Sequence, residues 1–304
     1  MHFEPEAFEF TTRRGIVYAH AEGRPLRMTL YIPDPDDRPQ RPGMVLIHGG
    51  AWLLGTRYQQ AWYCRQFARA GFVVMTIDYR LMPSHAFPKC LHDSKAAVRW
   101  LRLHAGELRV DPERIVTFGA SAGGHLAAFL AVTGPEDGLE GPENPGARSD
   151  VLAAISLYGA VDLTCYRDMP THGPLNDVTR RFLDEFSGRE GFAPEKHAWE
   201  AASPITYARR EAKPIFFVHG RSDRIVHFEQ TERFHRRLQE LGVPTGLVAL
   251  PNRGHGFDYI FTRQRREVFG QMLSFLGTHV PEREGDESAD AGRLGLVPTR
   301  PGTE

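Results

Sequence analysis

The sequence predicts an α/β fold, a mostly parallel central sheet flanked by helices, and three observations carry that prediction. Short apolar, β-branched runs recur along the chain, amphipathic stretches of helical period lie between them, and Gly, Pro or Asp bounds most of the runs. Runs that are apolar at every position suit strands covered on both faces, as in a parallel sheet. Strand alternating with helix supplies the cover.

The first element is the exception. Residues Gly15 to Ile32 read as an antiparallel hairpin that turns at Glu22-Gly23 and precedes the parallel part. Parallel strands follow at Met44 to Ile47, Val73 to Ile77, Ile115 to Phe118, Val151 to Leu157, Ile215 to Val218 and Leu247 to Leu250. Helices are expected at Tyr58 to Ala70, Leu91 to His104, Ala122 to Val132, Phe228 to Leu241 and Gln264 to Leu276, with Gly242 as the C-cap of the fourth. Two regions break the rhythm. Residues 162–207 contain Met169-Pro170, Gly173-Pro174 and one helical pattern near Thr179 to Phe186 but no strand pattern, which suits a small cap. Residues 281–304 are rich in Gly, Pro and acid, and disorder is expected there. The expected division is a main domain of residues 1–161 and 208–280, a cap at 162–207 and a tail at 281–304.

Composition narrows the class of function. Lys and Arg number 37 against 38 Asp and Glu, a formal charge of −1, so the electrostatic footprint of a nucleic-acid or acidic-membrane binder is missing. No window approaches the ~18 consecutive apolar residues that a spanning helix needs. The opening MHFEPEAFEF carries acid where a signal peptide carries base. Cys64, Cys90 and Cys165 are far apart and form no CxxC pattern, so neither a disulfide framework nor a zinc site is indicated; Cys64, His85, Cys90 and His92 match no zinc spacing. A reduced, cytoplasmic setting is the expectation, with no nucleic-acid or membrane partner. The oligomeric state stays open, a homodimer included.

Chemistry enters at Gly119-Ala120-Ser121-Ala122-Gly123, which follows a strand directly and opens a helix of small residues. G-x-S-x-G in that setting places the serine on a sharp, strained turn where small neighbours let strand and helix approach closely. Ser121 is therefore the candidate nucleophile. A serine hydroxyl needs a base for its proton and preformed donors for the oxyanion. VLIHGGAW, Val45 to Trp52, runs from a strand into a Gly-rich loop of the oxyanion type, and the donors are assigned to the backbone N–H groups of Gly50, Ala51 and Ala122.

For the base, His255 in Asn252-Arg253-Gly254-His255-Gly256-Phe257 hangs beyond a strand's carboxyl end, where such sheets place ligands. His48 reads as a loop brace and His125, one helical turn past Ser121, as a packed core group. The acid is expected after the preceding strand, and Asp223 in His219-Gly220-Arg221-Ser222-Asp223-Arg224-Ile225-Val226 fits, giving the order Ser, Asp, His. Asp162 is the rival, and Asp258 is too near His255 in sequence to reach round it. Trp52, Tyr58, Trp62 and Tyr63 follow the oxyanion loop. Trp52 and Trp62 are candidate substrate contacts lining a compact pocket; packing of the following helix into the core is the other reading.

These residues resemble the α/β-hydrolase superfamily, in particular the bacterial esterase branch with its hormone-sensitive-lipase-like carboxylesterases, acetyl-xylan and feruloyl esterases and kynurenine formamidases. The resemblance covers about residues 25 to 278 and extends to Asp78-Tyr79-Arg80-Leu81-Met82-Pro83 with Phe87-Pro88 and Asp93, similar to a Y-R-L-A-P-E-x-x-F-P segment expected beneath the elbow, and to Ser203-Pro204-Ile205-Thr206 at the end of the cap. It departs at Met82, Ser84 and Ala51, which stand where Ala, Glu and a third Gly are usual. The resemblance implies hydrolysis of short-chain or aryl carboxylic esters by a Ser-His-Asp triad through an acyl-enzyme, with no metal or organic cofactor. An arylformamidase would use the same residues, and a non-catalytic binding protein would keep the fold alone.

Overall fold

The computed structural model describes residues 8–35, 40–165 and 196–281. One eight-stranded sheet runs through it in the order β1-β2-β4-β3-β5-β6-β7-β8. β1 (Phe10–Ala21) and β2 (Arg24–Pro33) form the antiparallel hairpin. Glu22 and Gly23, at φ 51° and 75°, take the left-handed pair of conformations that lets a two-residue turn follow the twist of its strands. β2 joins β4 antiparallel, and all remaining pairings, among β3 (Arg41–Ile47), β4 (Val73–Ile77), β5 (Val110–Ala120), β6 (Ala153–Leu157), β7 (Ile215–Gly220) and β8 (Thr245–Leu250), are parallel.

Alternation along each parallel strand feeds two apolar layers. In β3, Val45 and Ile47 join the layer that holds Leu91, Val98, Leu126, Phe129, Phe234 and Leu238, while Met44 and Leu46 join the layer that holds Tyr63, Phe67, Val268 and Met272. The first layer is covered by α2 (Lys89–Leu103), which the short α3 (Ala105–Leu108) follows, by α4 (Ala122–Val132) and by the helix Phe228–Glu240, the second by α1 (Ala61–Arg69) and the C-terminal helix Thr262–His279. Burial on both faces explains why the central stretches of β3 to β7, such as Met44 to Ile47 and Ile215 to Val218, read as apolar runs. No helix among the described residues is long and apolar enough to cross a membrane.

Observed and expected elements differ mostly at their ends. The hairpin starts at Phe10, ahead of the expected Gly15, because Phe10 finds a register partner in Pro33. β5 begins at Val110 because a short pairing with Arg41 precedes an irregularity in register. Of the expected cap, residues 166–195 and with them the pattern at Thr179 to Phe186 lie outside the described residues, as does the tail after Pro281. The described end of that insertion forms a helix, Lys196–Ala201, and a 3₁₀ turn, Pro204–Tyr207. Ser203 joins the two described ends of the insertion: its hydroxyl donates to Trp199 O at 2.6 Å and accepts from Leu163 N at 2.8 Å.

The carboxyl ends of β3, β5, β7 and β8 share one edge of the sheet, and close packing there depends on Gly123. A Cβ on Gly123 would stand 2.0 Å from Ile47 O. Backbone lies on both sides of that contact, so neither partner yields cheaply. Gly123→Ala is expected to lower stability by about 3 kcal/mol, the upper part of the range for overpacked cores, read as the shift of the urea-unfolding midpoint at unchanged slope.

Candidate active site

Ser121 stands between β5 and α4 at φ 56° and ψ −122°. Left-handed φ at a non-glycine residue costs of order 1 to 3 kcal/mol and persists only where the surroundings enforce it. Here Ser121 N donates to Leu157 O at 2.9 Å, and Ser121 O accepts from His125 N at 3.0 Å as α4 begins. The hydroxyl is thereby lifted off the end of the sheet. His255 Nε2 lies 2.9 Å from Ser121 Oγ, and His255 Nδ1 lies 2.7 Å from Asp223 Oδ2. The three residues come from separate strand ends, so the structure brings together what the sequence placed 134 and 32 residues apart.

Asp223 follows β7 in a tight turn, and its side chain is buried. Oδ1 accepts from the backbone N–H groups of Ile225 at 2.9 Å and Val226 at 3.0 Å; Oδ2 accepts from both His255 and His219, the latter at 3.2 Å. Burial by itself raises the pKa of a carboxyl, but the hydrogen bonds from His219 and His255 and the electrostatic attraction of the two imidazoles for the carboxylate outweigh it, and Asp223 titrates well below the usual carboxylate range. A carboxyl depressed in the folded state contributes stability that is complete above about pH 5 and is lost as pH falls through the folded value. The rival acids are engaged elsewhere. Asp162 bonds Thr164 and, at 3.0 Å, Arg233, while Asp258 accepts from Tyr158 Oη at 2.6 Å. Tyr158 also sets its ring edge against the His255 imidazole at 4.7 Å.

Gly50, Ala51 and Trp52 have φ of 123°, 53° and 59°, so the loop after β3 turns back on itself. A side chain at Gly50 would meet Leu54 O at 2.0 Å, which leaves glycine as the residue that fits. Ala51, in place of the third Gly, accepts the left-handed conformation. Among the described residues the backbone N–H groups of Gly50, Ala51 and Ala122 donate to no protein acceptor. The loop touches the elbow, because a Cβ at Gly49 would lie 3.2 Å from Ser121 Cβ. Ala122 is in addition the first residue of an eleven-residue helix, whose dipole places partial positive charge there.

The neighbouring residues brace this loop. His48 Nδ1 bonds Gly49 O at 2.7 Å, and its ring stacks on Tyr79 at 4.3 Å; burial lowers its pKa. Tyr79 Oη donates to His48 O at 3.1 Å and Met82 N to Trp52 O at 2.9 Å, so the Asp78 to Pro83 block props the oxyanion loop. That block is anchored in turn by Arg80, whose guanidinium grips the fully buried Asp93 carboxylate at 2.6 Å and 3.0 Å. Sequence reasoning placed the block beneath the elbow; its hydrogen bonds run to the loop beside it.

Trp52 is buried and Trp62 half-buried, and both make packing contacts. Trp52 is 5% exposed, and its Nε1–H donates to His125 Nδ1 at 3.3 Å. Trp62 packs edge-on to Phe269 at 5.6 Å with the Arg265 guanidinium over its ring at 4.1 Å. His125 passes the connection on: Nε2–H donates to Ala202 O at 2.9 Å, and burial pushes its pKa down to about 4, so the ring is neutral. It clamps the oxyanion loop, α4 and the end of the insertion together. His125→Ala is expected to lower stability by about 2 to 4 kcal/mol, because it opens a cavity and strands two buried partners; an unchanged urea midpoint would contradict that role.

His219, which contacts the Asp223 carboxylate, is not among the residues that the sequence singles out. Its signal in the sequence is a polar residue closing an otherwise apolar strand, Ile215-Phe216-Phe217-Val218-His219, just before the acid's turn.

The chain is similar to known esterases. The chain is 34% identical over 266 residues to Esterase LipQ of Mycobacterium tuberculosis, an alignment covering 86% of this chain and 61% of that protein. It spans about 60% of the length of the three Mycobacterium tuberculosis relatives LipQ, LipC and LipM. Among solved structures, Thermogutta terrifontis esterase 2 with butyrate bound superposes with a TM-score of 0.71 at 30% identity, covering 91% of this chain and 97% of that one. The same esterase phosphonylated by sarin gives 0.73 at 30% identity, covering 92% and 98%. The BD-FAE family model matches residues 28–238, well over half of the chain. Sheet order, elbow and family model point the same way, and the chain belongs to the BD-FAE family of the α/β-hydrolase superfamily.

Proposed function

We propose that the protein is a carboxylic ester hydrolase that cleaves short-chain or aryl esters through an acyl-enzyme on Ser121. The observation that carries the reading is the unbroken hydrogen-bonded line from Ser121 Oγ through His255 to Asp223, with links of 2.9 Å and 2.7 Å, on a nucleophile held at left-handed φ. His255 Nε2 takes the hydroxyl proton as Oγ attacks the ester carbonyl. Asp223 orients the imidazole and stabilises the imidazolium. The N–H groups of Gly50, Ala51 and Ala122 receive the oxyanion. His255 then protonates the leaving alkoxide, and water activated by the same imidazole releases the acid and restores Ser121.

The size of the acyl group is inferred from one similar esterase. The similar Thermogutta esterase has been captured with butyrate and with propionate. A pocket that fits such chains rejects longer ones because each misplaced methylene is worth about 1 to 3 kcal/mol. p-Nitrophenyl acetate or butyrate is expected to exceed the octanoate by at least about tenfold in kcat/KM. An optimum at octanoate or longer would overturn the short-chain reading, and N-formylkynurenine turned over faster than every ester would replace it with a formamidase.

A further inference from the structure

We propose that His219 is a positioning residue for the triad, holding the Asp223 carboxylate in the plane that His255 needs; the proposal rests on Asp223 being the acid of an active triad. Along β7, Ile215, Phe217 and His219 alternate onto the face toward the helix Phe228–Glu240, where Phe217 meets Phe234 at 5.5 Å. His219 closes that face fully buried, with the Phe228 ring edge-on at 5.8 Å. An imidazole in such a place costs free energy unless both nitrogens are satisfied.

Both are. Nδ1 lies 2.7 Å from the buried Thr231 hydroxyl, and Nε2 lies 2.9 Å from Val226 O and 3.2 Å from Asp223 Oδ2. The two oxygens facing Nε2 have no proton to give, so in the neutral ring Nε2 carries the hydrogen and Nδ1 accepts from Thr231. The tautomer is thus set by a residue of the next helix. Oδ2 of Asp223 then receives N–H bonds from two imidazoles while Oδ1 receives two from the backbone. A carboxylate tied on only one oxygen can turn about its Cβ–Cγ bond. With Oδ1 held by the backbone, the His219 N–H fixes Oδ2 independently of His255 and leaves its other lone pair aimed at His255 Nδ1–H.

The test compares His219→Leu, His219→Gln and Thr231→Val with the parent, using p-nitrophenyl butyrate, urea unfolding and the proton resonance of His255 Nδ1–H. His219→Leu is expected to lower kcat by about 10- to 100-fold, the weight of a hydrogen bond to a charged group, with KM nearly unchanged and the resonance shifted. His219→Gln, whose amide N–H reaches the place of Nε2–H, should recover most of the loss and return the resonance toward its parent position. Thr231→Val should cost about 3- to 10-fold in kcat by releasing the tautomer.

His219→Leu within about threefold of the parent in kcat would overturn the proposal, since a charged hydrogen bond is worth more than that. So would His219→Gln as impaired as His219→Leu with the resonance unmoved in both, which marks a packing role alone. If His219→Leu does not fold, Thr231→Val decides: a lowered kcat at constant KM supports the proposal and a parent-like kcat overturns it. Ser121→Ala measured alongside separates the two ideas, because activity surviving there removes the triad reading itself.

Discussion

Ser121→Ala is expected to leave a folded protein whose ester hydrolysis is lower by about four to six orders of magnitude, the cost of losing a triad nucleophile. The effect is that large because nothing else at the elbow can replace Oγ. His255 could activate a water, but the hydroxyl that lies 2.9 Å from Nε2 has no substitute held by the backbone in the same place. The fold should tolerate the change. Ser121 is held through its backbone, N to Leu157 O and O from His125 N, and no hydrogen bond that braces the turn runs through its hydroxyl. Turnover of p-nitrophenyl butyrate and the urea midpoint check the two halves separately, and residual activity within tenfold of the parent would refute the assignment.

Asp223→Asn is expected to lower kcat by about 10⁴ with little change in KM, and the local hydrogen bonds say why. Oδ1 accepts from the N–H groups of Ile225 and Val226, so the amide oxygen of an asparagine is drawn to that side. Its NH₂ then faces His255 Nδ1 and His219 Nε2, both of which donate in the parent. His255 can accommodate a donor only as the other tautomer, with its proton on Nε2 facing Ser121 Oγ, and in that state it cannot take the serine's proton. Flipping the amide restores His255 but sets NH₂ against two backbone N–H groups, so neither orientation is satisfied. Asp162→Asn is expected to be mild by comparison, since Asp162 bonds Thr164 and Arg233. If Asp162→Asn were the costlier change in kcat, the acid would lie on the wrong strand.

What the sequence made legible was local. The elbow, the oxyanion loop and the acid's turn are each a few consecutive residues whose chemistry needs that order, and the strands behind them show as apolar runs because both faces are buried. What it hid was tertiary. The Trp52 indole reads as a pocket wall or as a core group, and its hydrogen bond to His125, 73 residues later, leaves no local mark in the sequence. His219 reads as the polar end of a strand, because the Thr231 hydroxyl that sets its tautomer belongs to the next helix. The propping of the oxyanion loop by Tyr79 was hidden for the same reason, since it depends on a stacked pair 31 residues apart in the chain. Element ends were displaced where pairing carried a strand past its apolar run, as between Phe10 and Pro33.

The central claim, that Ser121 becomes covalently acylated during turnover, is tested most directly by stoichiometric labelling. The tryptic peptide Ile115 to Arg148 contains Ser121 as its sole serine, and fragment ions separate an adduct there from one on Thr117, His125 or Thr133. The protein is treated with an organophosphate of the paraoxon type, the reagent class that phosphorylates the similar Thermogutta esterase. Mass spectrometry follows the modified peptide while p-nitrophenyl butyrate turnover is followed in parallel. The predicted result is one adduct per chain, on Ser121, with activity falling in proportion to its occupancy. Full turnover from a chain fully modified at Ser121, or inactivation that accompanies an adduct on another residue, would contradict it.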